Sequence, residues 1–202
     1  NLTNLEKETN KLCEARMKLV KLNKPEPWNK EDLLVVLKKL GKDKSRDADD
    51  FCNEIFQEGV AGSDLIEAVL KLMNLIKSRQ EYPKAMEKYN ITSLHKKGPK
   101  NDFANYRGVF RVSVLRSILD TLIYNSSYET IDASLTDGNE GCQKRRGCRG
   151  NIFVISAISN SVVNDKFEPI QVQVTDIEKC FDKMWLQSGV NSLYEAGLRN
   201  DM

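Results

Sequence analysis

The chain has 202 residues, of which 40% are hydrophobic and 30% charged, so a globular core is expected and wholesale disorder is not. The 31 lysines and arginines nearly balance the 29 acids, and a net charge of +2 gives no argument from bulk charge for a nucleic-acid partner. The longest apolar runs, residues 33–37 and, apart from Ser156, residues 153–158, fall far short of the roughly 20 residues that cross a bilayer.

Cysteine and histidine usage excludes several common site types. The five cysteines form no C-x-x-C pair, and His95 is the single histidine, which argues against a Cys/His zinc site. A Ser-His-Asp or Cys-His catalyst would have to be built around that one histidine. Unpaired cysteines favour a reducing compartment. We therefore expect an intracellular protein, nuclear or cytoplasmic, that is neither secreted nor bound to a membrane.

The first part of the chain is predicted to be helical. Pro25 and Pro27 break the first helix, and Asn29 offers an N-cap to the second, with Asp32 three residues later. The almost wholly charged segment 42–50 is predicted to be a solvated loop. The predicted helices are 2–22, one from Asn29 that ends before Gly41, 51–58 and 63–77.

After Pro83 the pattern changes to strands. Residues 89–94 and 106–112 are predicted to form a hairpin, because Gly98-Pro99 is a strong turn signal in the basic loop between them. Apolar residues in 114–123 have helical spacing. The elements predicted beyond are a basic, glycine-containing loop at 138–150, a helix at 152–163, an alternating half-buried strand at 170–175 that ends on Asp176, and a helix at 179–197.

Three clusters could carry chemistry. A carboxylate such as Asp176, between a strand and a helix, can hold Mg²⁺ at the rim of a sheet, or can simply cap the helix. Eight lysines and arginines against two acids give segment 83–116 a charge of +6, which suits phosphates but also describes a solvated charge run. The run 144–146 with Arg149 could follow a nucleic-acid backbone or keep a loop soluble.

In order and spacing these clusters resemble the reverse transcriptases, and most closely those of non-LTR (LINE-type) retrotransposons. The fingers motifs are matched by I-T-S-L-H-K-K-G at 91–98, N-Y-R-G at 105–108 and the segment 113–123. Residues 141–153 resemble the basic motif that follows, and D-I-E-K-C-F-D at 176–182 resembles the first palm motif. The resemblance implies an α+β fold of right-hand polymerase fingers and a partial palm. Its divisions are a helical lead-in at 1–88, the fingers at 89–168 and the start of the palm at 169–202.

The resemblance also implies an activity, RNA-directed DNA polymerase, that adds deoxynucleoside triphosphates to a DNA primer on an RNA template with two Mg²⁺ or Mn²⁺ ions. Asp176 would be catalytic and bind both ions, with the backbone carbonyl of Ile177 joining one of them. The remaining implied roles are triphosphate binding by Lys96, Lys97 and Arg107, a steric gate at Phe181, a structural role for Asp182, and nucleic-acid contacts by Lys100, Lys144, Arg145 and Arg149. Phe181 could instead be a core residue of an amphipathic helix.

The chain also departs from the family pattern. The other catalytic carboxylates of the palm, and the thumb, are expected downstream of Met202, so we expect no polymerase activity from this chain alone. In the basic loop Gln143 and Arg145 are atypical, Glu140 replaces an apolar residue, and Gly150 replaces an acid that would cap the next helix. These departures leave open a non-catalytic nucleic-acid-binding module or a decayed element, and a helical protein-interaction domain at 1–80. An unpaired strand at 170–175 predicts poor solubility.

Overall fold

The computed structural model describes residues 3–21, 25–47, 49–57, 59–136, 138–141, 143–166, 171–177 and 183–198. These residues form an α+β structure, as predicted. In chain order its elements are α1 (Asn4–Lys21), α2 (Lys30–Lys38), α3 (Ser63–Arg79), β1 (Tyr89–His95), β2 (Tyr106–Val112), α4 (Val114–Ser134), α5 (Cys148–Lys166) and α6 (Leu186–Glu195). In the part of the chain described, none of the helices has the length and apolar character needed to cross a membrane.

The chain divides into two compact units. One contains the residues up to Arg16 together with Tyr128–Leu198, and the other contains Met17–Ser127. The hydrophobic core lies in the second unit, where α2, α3 and α4 contribute side chains that are almost completely buried. The fully buried side chains of this core are Leu33, Val36, Leu37, Met73, Ile118, Leu119 and Leu122. The predicted helical spacing of 63–77 and 114–123 is confirmed by α3 and α4.

The start of α2 is fixed by the cap that the sequence predicts. The Asn29 side chain accepts a hydrogen bond from the Asp32 amide (2.8 Å), and the Asp32 carboxylate accepts one from the Asn29 amide (2.9 Å). This reciprocal pair satisfies two backbone donors that a helix start leaves without partners. Just before it, Trp28 is 7% exposed and joins the core.

A side chain of α3 holds the Trp28 backbone. The Asn74 amide group accepts a hydrogen bond from the Trp28 N–H (2.8 Å) and donates one to the Trp28 carbonyl (2.9 Å). The Lys77 ammonium lies 4.3 Å from the centre of the Trp28 ring, in cation–π geometry. One amide side chain thus satisfies both backbone polar groups of a buried residue.

The prediction that segment 42–50 is a solvated loop is wrong at Asp47, which is buried. Its Oδ1 accepts from the amides of Asp49 and Phe51 (3.0 and 2.9 Å), and its Oδ2 accepts from the amide of Val114 (2.9 Å). Val114 is the first residue of α4. A carboxylate from a distant loop therefore caps this helix, where a negative charge is favoured by the helix dipole.

The predicted hairpin is confirmed. β1 and β2 pair antiparallel, from Tyr89 opposite Val112 to His95 opposite Tyr106. The expectation that it packs on helices is wrong for the strands, since every residue of β1 except His95 is exposed. One face carries the neighbouring apolar pairs Tyr89–Val112 and Ile91–Phe110, whereas the other face is mixed, with Leu94 opposite Arg107.

In the other unit, α6 is tied to α1. The Arg16 guanidinium donates to the Asn191 side chain (3.2 Å) and forms an ion pair with Glu195 (3.1 Å). Asn191 is buried and donates to the carbonyl of Thr9 (3.3 Å). The Arg16 group also lies 4.9 Å from the centre of the Tyr194 ring. The helix predicted at 179–197 is confirmed over Leu186–Glu195.

The strand predicted at 170–175 is not formed by the described residues. Ile170 lies outside them, and residues 171–177 have no regular secondary structure and are exposed. An alternating segment becomes a strand only when a neighbouring strand supplies its hydrogen bonds. The described part of the chain contains one sheet, and its two strands are β1 and β2. The palm sheet expected from the resemblance is therefore not seen in it.

Candidate nucleic-acid interface

The tip of the hairpin is an ordered loop. The Lys96 amide donates to the carbonyl of Asn105 (2.8 Å), which closes the ladder, and His95 Nε2 lies 3.0 Å from the carbonyl oxygen of Gly98. Asn105 also donates through its side chain to the carbonyl of Pro99 (3.0 Å). These bonds hold both arms of the loop, so its exposed side chains are carried on a fixed backbone.

Glycine is required at the turn. Gly98 has φ +86°, and a Cβ at this position would lie 2.7 Å from the side-chain nitrogen of Asn105. Any other residue would therefore be strained by its backbone and would displace the Asn105 side chain. The turn predicted at Gly98-Pro99 therefore depends on the positive φ of Gly98 and on its close approach to the Asn105 side chain.

The far arm of the loop is fixed by two further side chains. The Tyr106 hydroxyl donates to the carbonyl of Lys100 (2.9 Å), and the Asp102 carboxylate accepts from the Ala104 amide (2.9 Å). The second bond starts a short 3₁₀ turn at Phe103–Asn105. Asp102 is the one acid of the loop, and its carboxylate is engaged by the backbone.

Four of the predicted phosphate-binding residues are brought together here. Lys96, Lys97 and Lys100 are exposed on the loop, and Arg107 is exposed on the adjoining β2. Within the described residues, these four side chains form no ion pair with an acid. Other basic residues of the same segment do have partners: Lys88 pairs with Asp49 (3.5 Å), Arg116 with Asp120 (3.5 Å), and Arg111 donates to the carbonyl of Arg46 (3.1 Å). Against these four cations the loop carries the single acid Asp102, so the tip keeps a net positive charge.

Aromatic side chains accompany these cations, and the sequence analysis did not identify them as part of a site. Phe103 is 92% exposed on the tip turn. On the strands, the rings of Tyr89 and Phe110 lie 5.4 Å apart, and those of His95 and Tyr106 lie 5.2 Å apart in an edge contact. An aromatic residue in the turn 102–105, between Lys100 and Arg107, was the available signal for Phe103.

The second basic cluster lies in the other unit, before α5. The Lys144 ammonium is 3.5 Å from the centre of the Tyr128 ring, and Arg145 has φ +64°. Arg145 and Arg149, with Glu140, line a cavity of about 460 Å³. The structure thus places the three residues predicted to contact template on the loop and the first turn of α5.

Because Gly150 replaces the usual acid, we expected the start of α5 to lack an acidic cap, but Glu140 supplies one. Its carboxylate accepts a hydrogen bond from the Gly147 amide (3.2 Å), directly before α5 begins at Cys148. A Cβ at Gly150 would lie 3.1 Å from this carboxylate. The two departures from the family pattern, an acid at 140 and a glycine at 150, are therefore spatially complementary.

The predicted catalytic residues are only partly described. Asp176 and Ile177 lie in the exposed segment 171–177, and Ile177 is 66% exposed. Phe181 and Asp182 lie outside the described residues. Among the residues that the structure describes, no group of three or more acids, histidines or cysteines could hold a metal ion.

Comparisons of the chain with protein-family models, with curated proteins and with solved structures gave no significant match.

Proposed function

We propose that this chain is the fingers region of a reverse transcriptase of the non-LTR type, and that its hairpin tip binds the phosphates of nucleotides. One observation carries the proposal: Lys96, Lys97 and Lys100 are grouped on an ordered loop, beside Arg107, with no acid neutralising them in the described part of the chain. The order of motifs in the sequence supports the same function.

The chemistry of nucleotide addition explains why such a tip would be needed. Transfer of a nucleotidyl group depends mainly on positioning the triphosphate and stabilising its charge. Lysine acts as a point charge and arginine as a bidentate donor toward phosphate oxygens. Lys97 or Lys96 would neutralise the triphosphate with Arg107, and a loop held by backbone hydrogen bonds would keep these groups in place. Lys100, Lys144, Arg145 and Arg149 would contact the nucleic-acid backbone.

Two Mg²⁺ or Mn²⁺ ions would supply charge stabilisation at the attacking and leaving oxygens in the parent reaction. The described residues do not fit such a pair by themselves, because no group of three or more acids, histidines or cysteines among them could hold a metal ion. We therefore derive no metal-dependent step from these residues.

Primer extension tests the catalytic part of the proposal. With an RNA template, a DNA primer, deoxynucleoside triphosphates and Mg²⁺ or Mn²⁺, we expect no product from this chain alone. One carboxylate is too few ligands for two cations. Extension product that disappears in Asp176→Ala would contradict this expectation and would establish a polymerase within these residues.

RNA binding tests the tip. The triple variant Lys96→Gln, Lys97→Gln, Lys100→Gln should bind a short fluorescein-labelled single-stranded RNA about tenfold or more weakly in anisotropy titrations. The slope of log K against log salt should fall by about 2, since each phosphate contact on a single strand contributes about 0.7. The matched control is Lys7→Gln, Lys11→Gln, Lys18→Gln on the exposed surface of α1, which should bind as the unmodified chain does. Equal losses in the two triple variants would contradict a specific site at the tip.

A second function, a nucleic-acid-binding module without catalysis, is favoured by the exposed rings beside the cations. Such a module would keep its RNA affinity in Asp176→Ala. In a longer chain that carries the remaining palm residues, a polymerase with the same substitution would lose turnover entirely. Measuring both properties on that chain decides between the two functions.

A further inference from the structure

We propose that one face of the hairpin is a stacking platform for the unpaired bases of a single-stranded nucleic acid. The inference rests on the proposed function, because it assigns the class of ligand that the same hairpin would bind. It adds a set of contacts, made by rings rather than by charges, that the basic residues alone do not provide.

The strand register defines this face. Residues paired across an antiparallel ladder share a face, and alternate pairs share the same one. Tyr89 lies opposite Val112, Ile91 opposite Phe110, and His95 opposite Tyr106. All four rings of the two strands are therefore on one face, which we call the aromatic face. Arg107 and Arg111 lie on the opposite face, with Leu94 and Val109.

Two rings of the aromatic face, those of Tyr89 and Phe110, are exposed. Tyr89 is 52% exposed and Phe110 is 60% exposed, although large aromatic side chains are usually mostly buried. Their planes are tilted by 58°, so each ring is open to further stacking. On the opposite face, Arg111 donates a hydrogen bond to the carbonyl of Arg46. This bond joins the 46–50 loop to the opposite face and not to the aromatic face.

The middle of the aromatic face has no large side chain. Gly108 and Ser93 are paired there, between the two aromatic pairs. A Cβ at Gly108 would lie 3.3 Å from the Ile91 Cγ2 methyl group and 3.8 Å from the Phe110 ring. The absence of a side chain lets these groups lie flat beside the backbone. From Tyr89 to His95 the strand spans roughly 20 Å, which suits a short run of nucleotides.

Charge identifies the ligand. The aromatic face ends at the tip, where Lys96, Lys97 and Lys100 are exposed without acid partners in the described chain, and where Phe103 adds a further ring. Proteins that bind single strands combine such a positive path for the backbone with aromatic rings on which bases stack. A purely apolar partner would leave this charge uncompensated, so a single-stranded nucleic acid, which supplies both phosphates and bases, fits better than an apolar peptide.

The test compares rings with aliphatic groups of similar hydrophobicity. The double variant Tyr89→Leu, Phe110→Leu should bind fluorescein-labelled oligouridylate RNA about five- to a hundredfold more weakly, because base stacking is worth about 1–3 kcal/mol per base. Its salt slope should be unchanged, since no phosphate contact is removed. Phe103→Leu should weaken binding in the same manner. The matched control on the opposite face, Leu94→Ala with Val109→Ala, should keep full affinity.

A change in the ligand gives an independent measurement. An abasic ribose-phosphate oligomer of equal length should bind the unmodified chain weakly, and the double leucine variant should discriminate less between it and oligouridylate than the unmodified chain does. Circular dichroism of each variant checks that the hairpin and helices are retained, and Phe110→Leu alone serves if the double variant unfolds.

The outcomes separate the two proposals. If the lysine variant loses RNA binding but the leucine variants do not, the tip function stands and the stacking platform is wrong. If the unmodified chain binds no RNA, the proposed function itself falls. Binding to vesicles of anionic phospholipid that is lost in Phe110→Leu, with RNA affinity unaffected, would identify the face as a membrane contact and overturn the inference.

Discussion

Replacing Asp47 by alanine is expected to lower the free energy of unfolding of the Met17–Ser127 unit by about 2–4 kcal/mol. The carboxylate accepts hydrogen bonds from the amides of Asp49, Phe51 and Val114, and it is buried. Alanine would leave these donors without a partner and would remove the negative charge at the start of α4. The loop and the helix would lose the connection that fixes their relative positions.

Urea unfolding followed by tryptophan fluorescence measures this loss. The chain has two tryptophans, and Trp185→Phe leaves Trp28 as the sole reporter, inside the unit that contains Asp47. The matched control is Glu81→Ala, which removes an exposed acid and should change stability by less than about 0.5 kcal/mol. Asp47→Asn keeps one oxygen acceptor but places an NH₂ group against a backbone donor, so it should also be destabilised.

A midpoint for Asp47→Ala equal to that of Glu81→Ala would contradict the structure of this loop.

Features that depend on neighbouring residues could be predicted from the sequence. The Asn29–Asp32 cap needs only four consecutive residues, and both of its hydrogen bonds are present. The hairpin depends on Gly98-Pro99 and two flanking β-rich segments, and its strands begin and end within a residue of the prediction. Local signals of this kind are sufficient because capping and turn geometry are decided within one or two turns of chain.

Features that depend on contacts between distant residues could not be predicted from the sequence. Asp47 lies 67 residues from Val114, and nothing in a run of charged residues shows which one is buried. The alternation at 170–175 predicted a strand, but a strand also needs a partner, and the described chain offers none to residues 171–177. Glu140 likewise caps the start of α5 through its hydrogen bond with the Gly147 amide. The sequence showed Glu140 only as a departure from the family pattern, so this contact could not be predicted.

The candidate site follows the same division. The grouping of Lys96, Lys97 and Lys100 could be predicted because a tight loop keeps neighbours in sequence together in space. The aromatic face required the register, which assigns Tyr89 and Phe110 to the same side. The catalytic role of Asp176 stays a prediction, since a two-metal centre would need further carboxylates from elsewhere in a chain.

Asn74→Ala is expected to lower the free energy of unfolding of the same unit by about 2–3 kcal/mol, although alanine is the better helix former by about 0.6 kcal/mol. The Asn74 side chain satisfies both the N–H and the carbonyl of Trp28, which is buried beside α2. Without it, both backbone groups would lose their hydrogen bonds, and the cation–π contact of Lys77 would lose its fixed partner.

The control for this substitution lies one turn along the same helix. Ser78 donates to the carbonyl of Leu75 within α3, so Ser78→Ala should change stability by less than about 0.5 kcal/mol. In the Trp185→Phe background, Asn74→Ala should also shift the Trp28 emission toward the red before unfolding, because the ring becomes hydrated once its backbone is released. Retained emission together with a midpoint equal to that of Ser78→Ala would show that the core, rather than Asn74, holds Trp28 in place.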